Sequence, residues 1–158
     1  MLYLDSSALI KLYVQEKGTE SIKQKLLDEE IAARPPVTSV LTFAEVHAAL
    51  MQRRNDRSLS NRTFMRSRAS FDADWAVSFS PIDLTPGVLL LVREVVSLGL
   101  KGADAVHLAS AIWLRDAVRL GLAQGAASAR FVFATSDKKL AKAAIVKKLD
   151  VFNPDDQP

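Results

Sequence analysis

Phe131-Val132-Phe133-Ala134-Thr135-Ser136-Asp137 is the stretch on which the fold turns. Five residues dominated by β-branched and aromatic side chains read as a strand. Ser136-Asp137 ends that strand and can cap the lysine-rich helix that follows. An acid therefore stands where a buried strand hands over to a helix. The chain opens in the same way. Tyr3-Leu4 reads as a short buried strand ended by Asp5, and Ser6 or Ser7 can cap a helix through Ala8, Leu9, Leu12 and Tyr13.

Working inward from both ends, Gly18-Thr19-Glu20 opens a second helix with Ile22, Leu26 and Leu27 at helical spacing. Pro35-Pro36 interrupts it, and Val37-Thr38 reads as the end of another short strand. Ser39 starts a long helix that carries Leu41, Ala44, Glu45, Ala48 and Met51. A polar connection from Asn55 to Ser60 leads to a helix over Asn61 to Asp74, and the alternation of Trp75 to Phe79 predicts a strand. Thr85-Pro86 starts a helix with proline at its first position, running to Val96 before Gly99 and Gly102 close it. Asp104 opens the next helix, to about Leu120. Gly121 to Ser128 is a segment of small residues, and Val151-Phe152 adds an edge strand.

Short strands separated by helices predict an α/β fold, a parallel sheet sandwiched by helices. Such sheets bind ligands at the carboxyl ends of their strands, where Asp5, the Thr38-Ser39 turn and Asp137 would sit. No repeat or linker divides the chain. Residues 1–152 are expected to form one domain, with 153–158 as a polar tail.

With 158 residues, 49% hydrophobic and 25% charged, the composition is that of a globular domain able to bury a core. No cysteine is present, which excludes disulfides and thiolate metal sites and suits a reducing cytoplasm. No signal peptide is read at the N-terminus. The most apolar run, Val88 to Val92, stops at Arg93, far short of the roughly 20 residues of a membrane span. The net charge of +3 is unevenly placed: Arg53, Arg54, Arg57, Arg62, Arg66 and Arg68 face only Asp56 in their stretch. Such a stripe can meet phosphates, although charge runs are usually solvated helix faces.

Four acids stand out by position. Asp5 and Asp137 end strands, Asp104 starts a helix after a glycine-containing loop, and Glu45 lies among Phe43, Ala44, Val46 and Ala48. Carboxylates converging at a sheet edge repel one another and call for a cation. Oxygen ligands of this kind select magnesium or manganese over zinc, and such ions can activate water against a phosphodiester. Ser7 and Thr135 each lie two residues from an acid and can orient a carboxylate. Each feature also has an ordinary reading, as helix caps worth about 1 kcal/mol for Asp5 and Asp137, and as dipole or surface residues for the others. His47 and His107 lie on separate helices and read as packed or hydrogen-bonded rather than ligating. Trp75 and Trp113 read as core, and Asp72, Asp74, Asp150, Asp155 and Asp156 as surface acids.

Taken in order, four motifs carry a resemblance over nearly the whole chain: Leu4-Asp5-Ser6-Ser7-Ala8-Leu9, Thr38-Ser39 with Ala44-Glu45-Val46, Ala103-Asp104-Ala105-Val106-His107-Leu108-Ala109, and Ala134-Thr135-Ser136-Asp137-Lys138-Lys139-Leu140. Lys11-Leu12-Tyr13 through Glu16 and Gly18 adds to them. The chain resembles PIN-domain proteins, specifically the VapC-type ribonuclease toxins of toxin–antitoxin modules. The resemblance implies a PIN-like sheet of about four to five short strands. It implies Mg²⁺ or Mn²⁺ on Asp5, Glu45, Asp104 and Asp137, supported by Ser7 and Thr135. It further implies endonucleolytic cleavage of RNA, often tRNA or rRNA, inhibition by a small cognate antitoxin, and a homodimer. Arg53, Arg54, Arg57 and Arg62 fall in the helical region that often contacts RNA or antitoxin in that family.

Two other classes compete. A phosphatase or receiver-like domain wants a paired acid beside its first aspartate, and none is present. A non-catalytic PIN-like module that binds RNA or protein would be expected to lose at least one acid, and all four are here.

Overall fold

The computed structural model describes residues 1–31, 35–121 and 130–156. Its centre is a sheet of five strands, β1 (Leu2–Leu4), β2 (Val37–Ser39), β3 (Ser80–Ile82), β4 (Val132–Ala134) and β5 (Asp150–Phe152), in the order β3-β2-β1-β4-β5. Every pairing is parallel. The three inner strands are buried throughout, while the edge strands are only partly so. This explains the continuous apolar lettering of the inner strands, since a parallel sheet is covered on both faces.

The period of two sorts side chains between two cores. Leu2, Leu4, Val132 and Ala134 pack with Leu9, Ile22, Val46, Leu50, Phe64 and Phe71. These come from α1 (Ser6–Leu9), α2 (Thr19–Ile31), α3 (Leu41–Asn55) and α4 (Asn61–Val77). Tyr3 and Phe133 turn the other way and pack with Val88, Val95, Leu108, Ile112, Leu140 and Ala144. Those belong to α5 (Pro86–Val95), α6 (Gly102–Arg119) and α7 (Lys138–Val146). The α/β sandwich is the observed fold.

Local starts and stops follow side-chain chemistry. Thr85 caps α5 through Val88 N–H with Pro86 in the first turn, and Gly99 closes the following 3₁₀ turn in the left-handed region at φ 76°. The first helix is capped by Asp5 rather than by Ser6 or Ser7, which are its opening residues. Ser39 ends β2, and α3 begins at Leu41.

The strand expected over Trp75 to Phe79 is not formed. α4 continues to Val77, and the strand is Ser80–Ile82. Trp75 follows Phe71 by one helical turn with ring centroids 5.7 Å apart, and Phe79 follows Trp75 at 6.2 Å. The i, i+4 aromatic spacing thus coincided with an alternation of period two, while Val77 is 83% exposed and belongs to neither core. Pro81 is tolerated because β3 is an edge strand. The Gly121 to Ser128 segment lies outside the described residues, apart from Gly121.

After β5 the chain forms a 3₁₀ turn over Pro154–Asp156 with Pro154 buried. Lys11 gathers this turn onto the first loop: its ammonium lies 2.9 Å from Asp155 Oδ1 and donates to Glu16 Oε1 (3.0 Å) and the Lys17 carbonyl (2.8 Å). Gly18 makes the approach feasible. Its φ is +83°, and a Cβ there would lie 2.6 Å from Asp155 Oδ1 and 2.8 Å from the Pro154 carbonyl carbon. Gly18→Ala is therefore expected to cost about 1–3 kcal/mol, read as a fall of about 3–10 °C in Tm by calorimetry.

Candidate active site

The strand order puts the carboxyl ends of β2, β1 and β4 side by side, and the residues that leave those ends build the site. Asp5 donates its N–H to the Ala134 carbonyl (3.1 Å), continuing the β1–β4 ladder by one residue. Its side chain then turns into the start of α1, where Oδ1 accepts the Ala8 N–H at 2.8 Å. The Ser7 hydroxyl lies 2.8 and 2.9 Å from the two carboxylate oxygens, and Thr135 donates its hydroxyl to Oδ2 at 2.6 Å. Each hydroxyl is held from behind by an amide of the β4–α7 turn, Ser136 N–H on Ser7 (2.8 Å) and Asp137 N–H on Thr135 (3.0 Å). Asp5 is 2% exposed. Burial pushes its carboxyl up, against the opposing pull of His107 and of the hydrogen bonds from Thr135, Ala8 and Ser7.

Asp137 caps α7 through Leu140 N–H (2.7 Å). Asp104 lies in the first turn of α6. Its carboxyl is also pushed up, first by partial burial, then by the charge of Asp137 and to a smaller extent of Glu45, with His107 and Lys101 opposing. Glu45, early in α3, reaches across the β2–β1 edge so that its Oε2 lies 2.7 Å from His107 Nε2. Hydrogen bonding thus joins Asp5 to the Asp137 turn, and charge couples Asp104 to Asp137 and Glu45.

His107, expected to be packed or hydrogen-bonded, is both. It is 1% exposed, it bonds Glu45, and it opposes the upward push on the carboxyls of both Asp5 and Asp104. Its spacing of three from Asp104 places both on one face of α6, a signal the sequence carried. Its other nitrogen, Nδ1, lies 3.1 Å from the Tyr3 hydroxyl. His47, by contrast, pairs with Asp72 (2.9 Å) away from these acids.

Among the described residues no three acid or histidine side chains converge closely enough to hold an ion by themselves. The donor set nevertheless fits one kind of group. It offers carboxylate oxygens only, and two of its members repel Asp104. Hard cations that keep much of their water, as Mg²⁺ does, bind through one or two carboxylates in such sites. A fully enclosed zinc-type cage does not fit.

A groove beside the acids is lined by Ser6, Ser7, Glu45, Arg53 and Ser136 among others. Arg53 donates through Nη2 to Glu16 Oε2 at 2.6 Å, while its Nη1 is buried without a partner among the described residues. Arg54 is occupied in bracing its own hairpin, on Asn61 Oδ1 (2.8 Å) and over the Phe64 ring (5.1 Å). Arg57, in the turn at φ 63°, and Arg62 are exposed and make no ion pair among the described residues.

The raised carboxyl of Asp104 has a stability consequence. A folded acid with a raised pKa stabilises the fold below its unfolded value and loses that contribution as pH rises through the folded value. Metal-free protein at neutral pH therefore carries an ionised Asp104 at a cost. Asp104→Asn is expected to raise Tm by about 1–3 °C at pH 7.5 in EDTA, with the gain vanishing towards about pH 4. A Tm that falls equally at both values would rule out this repulsion.

Comparison with known proteins identifies the family and the fold. The family model for the PIN domain matches residues 2–146. Ribonuclease VapC45 of Mycobacterium tuberculosis (strain CDC 1551 / Oshkosh) is 33% identical over 117 residues, covering 73% of this chain and 78% of the relative. Ribonuclease VapC46 of the H37Rv strain is 33% identical over 110 residues, covering 70% and 73%. Among solved structures, FitAcB from Neisseria gonorrhoeae superposes with a TM-score of 0.67 at 16% identity, over 99% of this chain and 100% of that one. VapBC2 from Rickettsia felis, bound to a DNA fragment from its promoter, gives 0.60 at 15% identity, over 97% and 98%. The chain belongs to the PIN-domain family, with ribonucleases named VapC among its sequence relatives.

Proposed function

We propose that the protein is a Mg²⁺- or Mn²⁺-dependent endoribonuclease and the toxin of a type II toxin–antitoxin pair, acting on structured RNA such as tRNA or rRNA. One observation carries the reading: His107 bonds Glu45 and interacts with Asp5 and Asp104, and Asp137 acts on Asp104, in a chain whose relatives are named ribonucleases.

Each residue has a distinct task in that reading. Asp5 is the fixed ligand, since Ser7, Thr135 and the Ala8 amide leave it a single orientation. Asp137 is set by its own cap on α7. Glu45 and Asp104 complete the charge that a cation must offset. A bound divalent ion would supply the Lewis acid for the phosphodiester and lower the pKa of an attacking water. Arg53 stands along the groove with an N–H to spare, and Arg57 and Arg62 offer charge to the RNA backbone without reading its sequence. A small antitoxin placing a basic side chain among the acids would replace the cation. Pairing of two copies is part of the same proposal. No helix among the described residues is long and apolar enough to cross a membrane, and a cytoplasmic site of action accords with the absence of cysteine.

Purified protein incubated with total RNA is expected to give discrete fragments with Mg²⁺ or Mn²⁺ and none with EDTA. Asp5→Asn and Glu45→Gln are each expected to slow cleavage at least about 100-fold, near 2.7 kcal/mol of barrier, while far-UV circular dichroism stays unchanged. RNA binding without cleavage under every condition would move the assignment to a non-catalytic module. Arg57→Ala/Arg62→Ala is expected to reduce the slope of log affinity against log salt by about 0.7 per lost contact with single-stranded RNA.

A further inference from the structure

We propose that His107 is the positioning residue of this site: Tyr3 fixes its tautomer, so that the Nε2 proton holds the Glu45 carboxylate in its metal-binding pose. The inference rests on the metal reading given above and adds to it a hydrogen-bonded line from buried Tyr3 through buried His107 to Glu45.

A carboxylate only accepts hydrogen bonds. At 2.7 Å from Glu45 Oε2, His107 Nε2 must therefore carry the proton. A ring with one proton then presents Nδ1 as an acceptor, and the group facing it is the Tyr3 hydroxyl at 3.1 Å. Tyr3 is fully buried, and its phenol offers an O–H to donate. Its ring has no freedom to turn away. It stacks on Phe133 at 5.4 Å and meets the His107 ring edge-on at 6.1 Å.

The geometry of the fold explains why Tyr3 is the residue for this. Leu2 and Leu4 face the core under α1 to α4, and the pleat sends Tyr3 to the opposite face, under α6. Asp5 then lies two residues on from Tyr3, at the end of the same strand. One strand thus supplies a carboxylate directly and fixes a second through His107. Glu45 needs this help because its helix leaves it partly exposed, with a side chain 28% accessible. Without a fixed donor, a glutamate of three rotatable bonds would sample several poses. Groups that orient a metal-binding side chain typically contribute about 10–100-fold in affinity.

The test uses the full chain with Mn²⁺ as the probe. Long-range ¹H–¹⁵N spectra of the imidazoles report which nitrogen of His107 is protonated, with no need for metal or RNA. The expected result is an Nε2–H tautomer in the wild type, and a mixed signal in Tyr3→Phe, which keeps the ring and its packing. Mn²⁺ affinity, by electron paramagnetic resonance, is expected to fall about 10–100-fold in Tyr3→Phe/His107→Leu. That pair removes the donor to Glu45 without leaving a buried hydroxyl unpaired. His107→Gln keeps an amide N–H for Glu45 and is expected to rescue most of the affinity. A wild-type ring protonated on Nδ1, or on both nitrogens, overturns the proposal. So does unchanged Mn²⁺ affinity in the double variant. Wild-type protein with no affinity for Mn²⁺ would sink the metal reading itself, a failure recognisable because the spectra still report the tautomer.

Discussion

The buried carboxylate of Asp5 is where fold and site meet. It ends the central strand, caps the first helix, and takes the hydroxyls of Ser7 and Thr135, which are themselves fixed by amides of the β4–α7 turn. An ionised acid at this depth is costly unless its oxygens are bonded, and here local donors surround it. The same bonds fix the relation between the ends of β1 and β4. Those are the two strands from which Asp5 and Asp137 depart. A substitution that loosened Thr135 or Ser7 would therefore disturb a helix cap, a strand junction and a ligand together.

Much of this was legible because it is local. An acid one residue beyond a buried strand and at the start of a helix has few places to go, so Asp5 and Asp137 could be set at the sheet edge from their neighbours alone. The hydroxyls two residues away follow from the same geometry. What was not legible depends on long-range packing. The Glu45–His107 bond spans 62 residues, and the Tyr3–His107 bond 104. Trp75 to Phe79 failed for a different reason: three apolar residues at every second position also fit an aromatic i, i+4 row, and α4, with Trp75 packed on Phe43 and Phe71, runs on to Val77. The burial of Lys11 is long-range too: it is 5% exposed because the Glu16–Gly18 loop and the Pro154–Asp156 turn close over it.

The placement of Lys11 also bears on the electrostatics of the acids. Lys11 and Arg53 are the cations lining the groove beside Glu45, and both are engaged by acids: Glu16 takes both, and Asp155 takes Lys11 again. Two positive and two negative charges leave this end of the groove close to neutral. Arg53 thus offers geometry, an unpartnered Nη1, more than it offers net charge. Arg57 and Arg62, exposed on the turn between α3 and α4 and its flank, carry their charge outside the acid cluster.

That separation has a consequence for how the site is switched. Had Arg53 been free to swing onto Glu45 or Asp104, the protein would neutralise its own acids, and a cation would have to displace a tethered guanidinium. With Glu16 holding Arg53, the repulsion felt by Asp104 from Asp137 and Glu45 is opposed among the described residues by His107 and Lys101. Under the proposed reading, the acids are thereby left to a charge from outside the chain. A hydrated divalent ion meets that requirement and permits chemistry. A basic side chain of a partner meets it equally well by electrostatics, and brings no activated water. The same uncompensated carboxylates can therefore serve both activity and inhibition.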